Sequence, residues 1–253
     1  MMDGIAIYVL WLREMTRFLR AKSRVIGTLG MPLFFMAFLG FGFSRAQVPN
    51  LPPGVSYIQY LVPGIIGMTL LFSSTFAGIS VLWDREFGFL KEIMVAPVGR
   101  VSIVLGRIAG GATTSLIQGV AILLLSIPLG FSIPGILPLL GAALFMILIS
   151  VTFIGLGLVF ASNMKDIHGF NMITNFVVFP IFLLSGALFP IGNLPPAVRA
   201  FAYGNPLTYG VDGLRVTLLG VSSFPVLLDL GVLALSSLVM VSLAAFFFER
   251  CQC

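Results

Sequence analysis

The sequence predicts an all-α polytopic membrane protein, and three observations carry that prediction. Hydrophobic residues make up 58% of the 253-residue chain and charged residues only 9%, with a mean hydropathy of +1.10, whereas a soluble domain carries about 25% charged residues. Runs without a single charge, such as Ala46–Trp83 and Ile108–Met164, match or exceed the ~20 residues that a membrane-spanning helix needs. These runs are continuous. The alternating segments of about ten residues that mark a transmembrane β-barrel are missing.

Taken in order, the chain reads as one transmembrane domain, 1–253, with six spans. Residues 1–24 hold Arg13, Arg17, Arg20 and Arg24, whose spacing stacks them in one stripe of a helix. Apolar neighbours such as Val9, Trp11 and Phe18 surround the stripe. This predicts an amphipathic helix in the membrane interface, with its arginines toward lipid phosphates. The first span is 25–43, interrupted by Pro32, and the second is 57–83. A short charged segment, 84–100, precedes the third span, 103–127. Arg107 lies near the entry of that span, and Gly106 and Gly110 are spaced for close helix packing. "IPLGFSIPG", Ile127 to Gly135, is a turn that splits the long apolar run into a hairpin of two spans. The fourth span is 136–162. "NMKDIHG" separates it from the fifth, 170–189, and the sixth is 225–248. Between the last two, 190–220 is apolar but broken by prolines and glycines. It predicts two short outer helices, surface-lying or re-entrant, in 196–203 and 207–219, with Asp212 and Arg215 placed as an i,i+3 pair.

Lys and Arg set the orientation. With the N-terminus inside, only Arg45, Arg199 and Arg215 of the fourteen basic residues fall outside. Both termini are therefore expected in the cytoplasm, in a plasma or inner membrane, and 84–100 becomes an inner loop.

The missing chemistry narrows the function. No expected span carries an ionisable residue near its middle; Asp229 is nearest, about one turn into the sixth. Ion-coupled carriers usually place acidic residues or a broken-helix ion site at mid-membrane, so a secondary carrier is the weaker alternative, together with a non-transporting membrane scaffold. HExxH and GxSxG are absent, and the single histidine, His168, lies in a turn. Cys251 and Cys253 cannot by themselves supply the four ligands of structural zinc. No catalytic residue, metal site, bound cofactor or nucleic-acid partner is expected. The three lysines follow Ala, Leu and Met, so there is no Gly-Lys for a phosphate-binding loop. If ATP drives this protein, another chain binds it.

That directs attention to "WDREFGFLKEIMVAPVGR", Trp83 to Arg100. Phe87, Leu90 and Met94 form an apolar edge at helical spacing. Asp84, Arg85, Glu86, Lys91 and Glu92 surround the edge, and Pro97 limits the helix. Such a segment suits a handle laid in a partner's groove, with charges fixing its register; a solvated inner loop is the plainer reading of the same periodicity.

"DREFGFLKEIMVAPVGRVSIVLGR" also resembles the inner loop of the ABC-2 type transporter permeases, especially the drug-resistance and nodulation-export branches. Asp84, Arg85, Glu86, Gly88, Leu90, Lys91, Pro97, Arg100 and Gly106 carry the match. "YLVPGIIGMTLLFSS" resembles that family's second span, and Phe179 to Arg215 its fifth span and following outer segment. The resemblance implies a homodimeric permease paired with two copies of a separate ATP-binding subunit that holds ATP and Mg. It further implies that Arg85 to Pro97 is the coupling helix docked in that subunit. An uncharged path suits an amphiphilic, hydrophobic or lipid-linked substrate.

Overall fold

The computed structural model describes residues 3–43, 49–88, 99–164 and 166–250, and every regular element among them is a helix. Helix α1 (Gly4–Arg20) starts where the Asp3 carboxylate accepts the Ile5 N–H, the ordinary N-cap arrangement. Ala21 separates it from α2 (Lys22–Gly42), which carries Pro32. The capping box of Ser56 and Gln59 opens α3 (Tyr57–Ala77). Gly78 then joins α3 to α4 (Ile79–Glu86), and the two read as one apolar stretch.

Next come α5 (Arg100–Ser126) and a 3₁₀ turn, Ile127–Leu129. Gly130, with φ of 99°, supplies the left-handed turn that an L side chain resists. The return helix is α6 (Ile136–Asn163), followed by α7 (Ile167–Leu184), whose N-cap is Asp166. Two short helices, α8 (Pro196–Tyr203) and α9 (Pro206–Leu219), precede α10 (Val226–Arg250).

Among the described residues, five helical stretches are long and apolar enough to cross a membrane: Tyr57–Glu86, Arg100–Leu129, Ile136–Asn163, Ile167–Leu184 and Val226–Phe248. The remaining expected span is α2, apolar over Ile26–Gly42. The chain is thus a polytopic helical membrane protein. The fifth span differs most from expectation. Its helix begins at Ile167 and stops at Leu184, because Ser185 caps it and Gly186 turns with φ of 74°. Residues 185–188 are a buried turn, not membrane helix.

Helix α3 is the axis of the bundle. In its most apolar window 78% of residues are buried, against 22% for α7 and 17% for α10, so the last two lie at the periphery. Where α3 passes into α4 it crosses α6 at backbone contact. A Cβ on Gly78 would run into the backbone of Gly157, and one on Gly157 into the Thr75 carbonyl. Small residues let helix backbones approach this closely in a membrane protein. Helix α9 is buried over most of its length and packs on α3, α6 and α10.

Candidate functional site

Two close packings deliver α1 to the start of the charged segment. Gly106 and Gly110 lie one turn apart on α5, and α1 fills the space above them. A Cβ on Gly106 would sit 2.9 Å from the Leu10 Cβ, and one on Gly110 would sit 2.7 Å from the Glu14 Cβ. The Asp3 N–H donates to Ser102 Oγ at 3.0 Å, and Trp11 Nε1 donates to Thr113 Oγ1 at 3.1 Å. These contacts fix the rotation of α1 and turn Arg13 and Arg17 toward α4.

Asp84 receives them. Its side chain is 4% exposed, and its carboxylate accepts hydrogen bonds from three guanidinium groups. Arg13 donates through both terminal nitrogens, at 3.0 and 2.5 Å, one to each oxygen. Arg17 Nη2 donates at 3.3 Å. Arg107, reaching across from α5, donates through Nη2 at 2.6 Å and sends Nη1 to Ser80 Oγ at 3.0 Å. Glu14 adds an i,i+3 ion pair to Arg17 at 3.5 Å. A buried carboxylate is tolerated only when paired and hydrogen-bonded, and here three cations from two other helices perform that task. The cluster ties α1, α4 and α5 together at the first residue of the charged segment.

The stem of that segment is fastened on its other side as well. Arg85 Nη1 donates to the Met164 carbonyl at 2.8 Å, at the end of α6. Glu86 and Phe87 are exposed, Phe87 at 83%. Gly88 then turns the chain with φ of 74°. Arg100, exposed, starts α5. Leu90, Lys91, Met94 and Pro97 lie outside the described residues.

The expected arginine stripe therefore has to be corrected. Arg13 and Arg17 point into the protein, at Asp84, instead of out to lipid phosphates; Arg20 is exposed, and the side chain of Arg24 falls outside the described residues. The amphipathic helix exists, but its polar stripe faces a buried acid. Arg107 is the buried cluster residue that sequence reasoning undervalued. The available signal was an arginine just inside one apolar span, at the same expected depth as an aspartate at the end of the preceding one.

Asp212 and Arg215 also find partners other than each other. Asp212, on α9, accepts the backbone N–H groups of Ser223, at 2.8 and 3.0 Å, and Phe224, at 3.0 Å, which fixes the turn into α10. Arg215 donates to the carbonyls of Gly186 and Ala187 at 2.8 and 3.1 Å. Its guanidinium lies 3.7 Å from the centre of the Tyr60 ring. The buried turn after α7 exposes those carbonyls to the interior, and satisfying them outweighs an i,i+3 pair. No group of His, Cys, Asp and Glu that could hold a metal ion occurs among the described residues.

A helical bundle with a buried charge cluster set where a charged segment leaves the apolar spans defines a polytopic membrane protein. The family model for ABC-2 type transporters matches residues 5–219, and the chain belongs to that family. It is 29% identical over 236 residues to the inner membrane transport permease YadH of Escherichia coli K12, covering 90% of this chain and 89% of that protein. Nodulation protein J of Rhizobium leguminosarum bv. viciae is 28% identical over 235 residues, with 92% and 89% covered. The putative transport permease ycf38 of Porphyra purpurea is 29% identical over 197 residues, with 78% and 68% covered. Two of these three relatives are named as transport permeases, and membership of the family makes this chain a membrane component of a transporter.

Proposed function

We propose that this chain is the permease half of an ATP-driven exporter, working as a homodimer with two copies of a separate ATP-binding subunit. The exporter sits in the plasma or inner membrane with both permease termini in the cytoplasm, and ATP and Mg are bound by the partner. The observation that carries the reading is the Asp84 cluster. It joins the root of the charged segment to α1 and, through Arg107, to α5, which supports a reading in which a push on that segment is passed to a spanning helix. Residues 85–97 act as the coupling segment. Phe87, exposed at its root, together with Leu90 and Met94, offers the apolar edge to the ATPase, while Asp84 holds the segment to the bundle. The cargo is amphiphilic, hydrophobic or lipid-linked, consistent with the apolar character of the spans.

The test is transport into inverted membrane vesicles, with candidate drugs and lipid-linked glycans supplied outside. The reading expects accumulation that needs hydrolysable ATP and both chains. Accumulation driven by an ion gradient without ATP would establish a secondary carrier in its place.

A further inference from the structure

Among the described residues, five charged side chains are buried: Asp84, Arg107, Asp212, Arg215 and Asp229. Asp84 and Arg107 are paired, where α4 ends. The other three belong to the opposite end of the bundle, where α3 begins and its Tyr60 stacks on Arg215. Asp212 and Arg215 are satisfied there by backbone groups. Asp229, in the first turn of α10, is not. It is 0% exposed, and neither of its carboxylate oxygens has a hydrogen-bond partner among the described residues.

The donors around it are already committed. From α9, the titratable groups near enough to act on Asp229 are Tyr209 and Asp212. Tyr209 donates its hydroxyl hydrogen to the Tyr203 carbonyl at 2.7 Å, and Asp212 holds the Ser223 and Phe224 N–H groups. Helix α6, which packs along α10, contains no titratable residue. Helix α5 also meets α10, but its ionisable residues, Arg100 and Arg107, lie at the far end of the bundle. Asp212 and Arg215 already cancel in charge, so an ionised Asp229 would leave this buried end negative. An ionised carboxylate without a donor is among the costliest groups to bury. The positive end of α10 favours a charge in its first turn, though by far less than removal from water costs. The arrangement is tolerable when Asp229 is neutral.

We propose that Asp229 is a proton-binding site that closes α10 on α9: the folded pair holds one proton on this carboxyl, and its loss sets Asp229 against Asp212 across the turn that joins the two helices. On opening, the O–H bond breaks, the proton passes to water, and the electron pair stays on the carboxylate. The site goes beyond the exporter reading and does not rest on it.

The full-length permease is purified in dodecyl maltoside, a detergent without a carbonyl, and its infrared spectrum at neutral pH is compared with that of Asp229→Asn. The wild type should show the C=O stretch of a protonated carboxylic acid, which the variant lacks. Reversible SDS unfolding is then followed across pH. The folded chain holds a proton that the unfolded chain gives up above the ordinary carboxylate range of ~4. Rising pH should therefore favour unfolding, by up to about tenfold in the equilibrium constant per pH unit. Asp229→Asn, neutral at every pH, should lose that slope, which a merely structural side chain would not set. Should the variant not fold, the wild type decides alone, because its acid band must fade over the pH range in which unfolding becomes easier. A spectrum without a protonated acid at neutral pH, or a slope that survives Asp229→Asn, would overturn the proposal. So would an unfolding equilibrium that follows sodium concentration at fixed pH, since a metal cation would then take the place of the proton.

Discussion

The Asp84 cluster makes the sharpest prediction. Consider Asp84→Leu, which removes the carboxylate and keeps an apolar side chain of similar size. Arg107 then loses its 2.6 Å partner with a side chain only 3% exposed. Stranding one member of a buried ion pair costs about 3–5 kcal/mol. Arg13 and Arg17, at 26% and 30% exposure, can turn to water or headgroups and add little, on the order of 0–1 kcal/mol each. The predicted loss is therefore about 3–5 kcal/mol, nearly all from Arg107. The assay is reversible SDS unfolding of the purified permease in mixed micelles. Adding Arg107→Met should restore most of the loss, because replacing a buried pair by apolar residues is often neutral; the two singles and the double close a mutant cycle. A single-mutant loss near 0.6 kcal/mol, the average for an interhelical hydrogen bond in a bilayer, would refute the argument. So would a double mutant as unstable as the two singles summed.

Other sites yield further expectations. Gly110→Leu drives a side chain into Glu14, 2.7 Å from where its Cβ would lie; it should lift α1 off α5 and speed protease cleavage within 4–20, with unchanged cleavage counting against the contact. Arg215→Lys keeps the charge but loses the planar fork that meets two carbonyls and stacks on Tyr60; a loss of about 1–3 kcal/mol in the same unfolding assay is expected, and a neutral result would contradict it. Leu90→Asp should leave membrane insertion intact and uncouple ATP hydrolysis from transport, because a charge buried at the docking face costs several kcal/mol. Unchanged transport would remove Leu90 from that face.

The spans were legible because lipid imposes a coarse rule that local composition satisfies. Charge-free runs bounded by "IPLGFSIPG" and "NMKDIHG" mark helices without reference to any neighbour, and the short pieces at 196–203 and 207–219 follow from where the prolines fall. The end of the fifth span was not legible, since "SGALF" is as apolar as the helix before it and only the left-handed Gly186 breaks it. Charge partners were harder still. Asp84 meets Arg107 across 23 positions and Arg13 across 71, so their pairing depends on how helices cross. The spacing of Arg13 and Arg17 was read correctly as one face, but which way that face turns is decided by Gly106 and Gly110 beneath it. Asp212 and Arg215 illustrate the opposite error, where suitable spacing lost to backbone groups that a buried turn left in need.

The claim at the centre of this account is that the segment rooted at Asp84 holds an ATP-binding partner. The direct measurement is to tag the chain, solubilise its native membranes gently and determine what co-purifies, and in what ratio. The account predicts one ATP-binding subunit per permease, lost in Leu90→Asp while the permease itself remains folded. A permease recovered alone, under conditions where other transporter complexes survive, would contradict it.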